Sequence, residues 1–357
     1  MEADSQQMTC MSRKGEEMTR GLYTRVALAG WLVLVLLVCD SCIVIDAGDT
    51  DRARYERKVE LAAPLSEGSS FSAETGDGSI TVHGVETTEC KVQARVVAHA
   101  KTQERAQDLA EQIEVRLEPA GAGLKVVTQR PHMSMGEWYT VSLDVQVPVQ
   151  TNLTLVTGDG AVHVADITGP VDARTGDGSV EAETVKGNVK LRTGDGSVTC
   201  TRLEGETLDV QTDDGGVKIA DSSAKSCTAK TSDGNIVLTD VRADSIAART
   251  NDGSIRCQHI AAERTECHTN DGSIYLEYTP EAPKAPDVTA TTSSGGITFI
   301  APPGLSAVVD ASTGDGSIHT SLPMTVEGKI GRSLTGRLGD GAGKVHLRTH
   351  DGSITIR

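Results

Sequence analysis

Six aspartates, Asp177, Asp195, Asp214, Asp233, Asp252 and Asp271, each stand third in a six-residue phrase of the form Thr-x-Asp-Gly-Ser-Ile/Val. The phrase begins at Thr75, Thr157, Thr175, Thr193, Thr212, Thr231, Thr250 and Thr269, with related forms at Thr292, Thr313, Leu338 and Thr349. Between Thr157 and Thr269 it recurs every 18 or 19 residues. Stacked repeats would align the carboxylates into a ladder, and like charges so close repel unless they are hydrated, hydrogen-bonded or bridged by a cation such as calcium. Turn chemistry is the simpler reading: Gly tolerates positive φ, and Asp bonds to the backbone two residues on. The pattern GGxGxDxUx of calcium-binding β-rolls is missing.

A second column precedes the phrase's Thr: Arg174, Arg192, Gln211, Lys230, Arg249 and His268. On a solvated face it balances neighbouring acidic residues. The alternative is a cationic stripe of Arg174, Arg192, Lys230 and Arg249 facing an anionic glycan. Catalysis needs a constellation that occurs once, whereas the conspicuous Asp, Thr and Ser all belong to the repeat. There is no Gly-x-Ser-x-Gly elbow and no phosphate loop ending in Lys-Ser/Thr. Beyond the amino-terminal region lie Cys90, Cys200, Cys227, Cys257 and Cys267, irregularly spaced and without zinc-site pairing. They read as buried free thiols, with Cys257 and Cys267 the one conceivable pair. His346 and His350 share a strand face with nothing to complete a metal site. No enzyme, metal or cofactor is therefore expected, and a β-helix polysaccharide lyase, which has longer three-strand rungs and an aromatic or basic cleft, is the least favoured reading.

Such regular spacing requires a solenoid. Each unit reads as two short strands and two turns: Val171, Ala173 and Thr175 share one face, and Val180 and Ala182 continue it beyond the turn. The expected fold is all-β, a single-chain β-solenoid or β-helix of 18–19-residue rungs, with one amphipathic helix near the N-terminal end. That helix is expected at about 102–113, where Ala106, Leu109, Ala110 and Ile113 recur at helical spacing after a Thr102 N-cap. Four β segments flank it, at 90–98, 113–117, 124–128 and 139–147, and together they separate the Thr75 phrase from the Thr157 series. The proline-rich stretch TPEAPKAPD lengthens one late rung. Domain bounds follow: 1–41 as extension and signal or anchor, 42–54 as linker, 55–150 as N-terminal β segments with the helix, and 151–357 as solenoid.

Composition agrees with a narrow core. The 357 residues include 37 Gly but only two Phe, two Trp and five Tyr. With 50 acidic against 34 basic residues the net charge is −16, which argues against nucleic-acid partners. Residues 26–38 (VALAGWLVLVLLV) form an uncharged run after Arg20 and Arg25, the pattern of an export signal. The run is short for a membrane-spanning helix, which takes about 20 apolar residues, unless it extends to residue 47. Its proportions fit a start at Met18 or Met11 better than at Met1. Cys42, preceded by Ser41, stands where a lipoprotein is cleaved and acylated, so attachment is expected through a lipid anchor there or through an N-terminal transmembrane segment.

The helix ERAQDLAEQIEV, the stretch VPVQTNLTLVTGDGAVHV, the TGDGSV units and the closing LTGRLGDGAGKVHLRTHDGSITIR resemble the bacterial putative-adhesin family over about 55–357. That family's members are exported or membrane-attached β-solenoid proteins, and in its lipoprotein members a cysteine stands where Cys42 does. The resemblance implies no catalytic residues. The expected function is a non-enzymatic exported surface or envelope protein, an adhesin-like binding module whose partner is a surface ligand or envelope component. The alternative is a periplasmic scaffold that self-associates at its solenoid ends, for example through an uncapped strand at 353–357.

Overall fold

The computed structural model describes residues 52–129, 132–327 and 331–357. The apolar run 26–38, Cys42 and the linker up to residue 51 lie outside the described residues. The described chain is mostly β. Val180 and Ala182 in strand Val180–Lys186, and Val189 and Leu191 in strand Val189–Arg192, face a dry interior. Each strand runs parallel to its counterparts one repeat before and after: Val180 is in register with Val162 and Val198, and Val189 with Val171 and Leu208. The register continues through Val217, Ile236, Ile255 and Ile274, so successive turns of chain stack as rungs. The inward columns hold Val, Ile, Leu, Ala and Cys. The chain's two phenylalanines, Phe71 and Phe299, are fully buried in rungs towards the two ends.

Six consecutive rungs have one bend more than the two-strand unit expected. Asp166, Thr184, Arg202, Asp221, Asp240 and His259 adopt left-handed backbone angles, with φ between 50 and 60°. In a straight strand the residue three after Ala182 would face outward. The left-handed residue shifts the alternation by one, so that Ala182 and Val185 both reach the core. Asp occupies three of the six positions, and its short polar side chain is among the few that visit this conformation readily.

At both ends the order of rungs in space departs from the order in sequence. The Thr75 rung, strands Ser70–Glu74 and Ile80–Val85, lies directly against Asn152–Val156 and Val162–Thr168. The chain between them is laid on the far side of that rung, as Gly123–Gln129 and Trp138–Pro148. Antiparallel strands Ala53–Pro64, Glu89–Ala100 and Glu114–Ala120 then cover that edge. Helix Gln103–Gln112 buries Ala106, Leu109 and Ala110, and its N-cap Thr102 accepts a hydrogen bond from the Arg105 amide at 3.3 Å. Among the described residues no helix is long and apolar enough to cross a membrane.

The other end repeats the device. The last rung in sequence, Gly343–Thr349 and Ile354–Ile356, is inserted between the Asp287–Thr291/Ile297–Ile300 rung and the Ala307–Thr313/Ile318–Thr320 rung. Ile354–Ile356 is thus paired on both sides, and the free terminal edge expected at 353–357 is absent. The end is formed by Ile318–Thr320 and by the antiparallel strands Ser333–Leu338 and Thr325–Glu327.

Backbones approach most closely at the phrase turns. A Cβ on Gly215 would lie 2.0 Å from the carbonyl oxygen of Gly196, and the same clash recurs at Gly178, Gly196, Gly234 and Gly253. The next residue, Gly216, has only the Asn235 carbonyl at 3.4 Å. Its counterparts are Ser197 below and Asn235 above. Gly215→Ala should destabilise the protein by roughly 3 kcal/mol, while Gly216→Ser should stay within about 0.5 kcal/mol of the parent, as urea unfolding would measure.

Candidate functional site

Each phrase places a buried threonine beneath the turn. The Thr175 hydroxyl shares its proton between the Gly158 and Gly160 carbonyls of the rung below, at 3.0 and 2.8 Å, and accepts from the Gly178 amide at 3.2 Å. Thr212 does the same with Gly194, Gly196 and the Gly215 amide, and Thr250 with Ser232, Gly234 and the Gly253 amide. The Asp side chains do not make the local backbone bond expected of them. Asp177, Asp195, Asp214, Asp233, Asp252 and Asp271 are exposed, and among the described residues none of their carboxylates accepts a backbone N–H. Only Asp271 has a side-chain partner, the Ser294 hydroxyl at 3.0 Å. Ser294 itself stands at the Asp position of its phrase, and that turn keeps the Thr292 bonds to Asn270 and Gly272 at 3.2 and 2.8 Å. Asp is therefore dispensable to the turn.

The column before Thr faces outward, with Arg174 beside Arg192 and Lys230 beside Arg249 in register. Arg174 pairs with Asp172 at 3.1 Å, Arg192 with Asp209 at 3.4 Å, and Arg249 with Glu266. Such exposed pairs are worth about 0–1 kcal/mol each. Lys230 has no partner among the described residues. The line is a solvated face whose cations are part-neutralised and still reachable.

Three of the left-handed residues, Asp221, Asp240 and His259, none of them singled out by the sequence, line one concavity. Asp221, Asp240, Arg242, His259 and Thr279 surround a shallow cleft of about 310 Å³. His259 Nδ1 lies 3.6 Å from Asp240, and its Nε2 lies 3.9 Å from Glu277. Ser222 at the cleft wall donates its hydroxyl proton to the Ala220 carbonyl at 2.7 Å and accepts from the Leu203 amide, so it is a structural hydroxyl. The signal that could have revealed this column was the recurrence of Asp two residues after an inward position, at the period of the phrase.

His346 contacts Asp310 at 3.1 Å, while His350 lies beyond its strand, near Asp351. Among the described residues no three His, Cys, Asp or Glu side chains converge as metal ligands. The five cysteines are buried and free. Cys200 and Cys257 occupy one inward column, separated by Ile219 and Leu238. Burial pushes the Cys90 and Cys227 thiols up to about 12. The Cys257 thiol is raised by its hydrogen bond with Cys267 and then by burial, so these groups are held protonated. Because hydroxyls and backbone groups close every turn, chelator should leave the melting temperature unchanged within about 1 °C in calorimetry. A fall on chelation would assign a bridging cation to the Asp ladder.

The profile of the Toastrack DUF4097 family matches residues 145–286 and 284–357. Among solved structures, the chain is similar to a "putative cell adhesion protein" from Clostridium sporogenes, at 11% identity and a TM-score of 0.22, over 83% of this chain and 97% of that one. It is also similar to a "putative adhesin" from Bacteroides fragilis, at 11% identity and a TM-score of 0.35, over 84% and 97%. No curated protein matches it. The family match spans more than half of the sequence, includes the repeated phrases from Thr157 onward, and agrees with the resemblance they carry: the chain belongs to the Toastrack DUF4097 family.

Proposed function

We propose that the chain is a non-enzymatic, exported adhesin-like module of the cell envelope, attached to a membrane through its N-terminal segment. The observation that carries this reading is the repetition of the outer surface. Arg174, Arg192, Lys230 and Arg249 recur in one outward column, and Asp177 to Asp271 recur in another, rung after rung. Neighbouring rungs are about 4.8 Å apart, so a polymeric ligand meets the same weak contact many times. A rigid solenoid of 18–19-residue rungs suits that task, since each contact is held in register with the next. The cation column fits an anionic glycan, and the carboxylate column remains open to a cation.

The second reading, a self-assembling periplasmic scaffold, draws support from one element. Among the described residues, strand Ile318–Thr320 has a hydrogen-bonded neighbour on one side only. Protease shaving of intact cells separates the two. The adhesin reading predicts loss of the solenoid from intact cells, as followed by antibody. Protection until lysis would contradict it and favour the scaffold.

A further inference from the structure

The turn at 132–138, between strands Gly123–Gln129 and Trp138–Pro148, exposes what the rest of the chain hides. Met135 is 97% exposed, Met133 45% and Trp138 43%, and these are three of the four large exposed hydrophobic side chains among the described residues. The turn is stapled. The Arg105 guanidinium donates two hydrogen bonds to the Glu137 carboxylate, at 2.7 and 2.9 Å, and the Ser134 amide donates a third at 2.8 Å. Those bonds hold the Glu137 carboxyl down at about 2. Arg52 donates to the Gly136 carbonyl at 2.9 Å, and the His99 ring stacks on Trp138 with centroids 3.7 Å apart. The methionines are therefore presented outward on a braced support.

The position of this turn identifies what it meets. Arg54 is in register with His99, and His99 with Trp138, so the first described residues enter the fold at this corner. Thirteen residues, 39–51, separate the apolar run 26–38 from Arg52. Thirteen residues reach at most about 45 Å. The end of the run, or an acyl group on Cys42, is thereby tethered within that distance of Arg52. Lys101, exposed and without a partner among the described residues, follows Ala100, which pairs with Ala53 at the same corner. A Trp with two Met side chains beside cationic Lys101 and Arg52 suits the boundary between acyl chains and anionic headgroups.

We propose that the 132–138 turn is a membrane-contact surface: Met133, Met135 and Trp138 enter the interfacial layer of the membrane that holds the N-terminal segment and seat this corner of the solenoid on lipid. This rests on the membrane-attached reading above. Trp31→Phe leaves Trp138 as the sole tryptophan of the full chain. That protein is reconstituted into phosphatidylethanolamine–phosphatidylglycerol vesicles whose acyl chains carry bromine near the headgroup. The proposal predicts flotation with the vesicles and quenching of Trp138, and Met133→Asp with Met135→Asp should reduce the docked fraction roughly tenfold while flotation persists. Flotation with Trp138 unquenched would overturn the contact and leave the attachment standing. Failure to float would overturn both.

Discussion

The structure depends on how closely one phrase turn sits on the next. The glycine at the fourth position of the phrase, from Gly160 to Gly295, brings its Cα against the carbonyl of the glycine below, where a Cβ would stand about 2 Å from oxygen. The Thr hydroxyl spans that contact by donating to the carbonyls of the rung beneath and accepting the amide of its own glycine. Without this approach the strands on either side could not keep parallel register from Val162 to Ile297. Turn and sheet are thus one interaction repeated: glycine permits the spacing, and threonine satisfies the backbone groups that the turn removes from water.

Thin rungs constrain everything else. The interior accepts branched aliphatics, Ala and Cys, and uses Phe71 and Phe299 towards the ends, where the regular columns give way. A stack of parallel strands would otherwise expose unpaired edges. The chain answers by covering one end with antiparallel strands and the helix, and by threading its last rung inside the stack at the other. The outer surface is left to repeated charge columns, which suits many weak contacts better than one chemical site.

Much of this could be read from the sequence. The phrase and its period gave the rungs, the alternation around Val180 and Val189 gave the inward columns, and Thr102 with Ala106 and Leu109 marked the helix. Rung order at the ends was not legible, because periodicity specifies which residues align and says nothing about which rung neighbours which. Thr75 therefore appeared isolated, yet its hydroxyl donates to Thr157 Oγ1 at 3.0 Å. The left-handed bend was only half legible, because Asp marks three of its six positions while Thr184, Arg202 and His259 hold the others and share with them only a backbone angle. The role given to Asp was misplaced for a related reason. Asp-Gly is good turn chemistry in isolation, whereas stacking hands the hydrogen bond to threonine. The exposed Met133 and Met135 carry no pattern at all until burial is known.

The claim that threonine and glycine, and not aspartate, hold the rungs is tested most directly by comparing Thr231→Val with Asp233→Ser in one central phrase. Thr231→Val strands the Gly234 amide and the Gly215 carbonyl, while the Asp213 carbonyl keeps the Ser232 and Asp233 amides, and should cost about 2 kcal/mol in urea unfolding. Asp233→Ser reproduces the natural arrangement at Ser294 and should stay within about 0.5 kcal/mol of the parent. The opposite ranking, with the Asp substitution the costlier, would contradict the account.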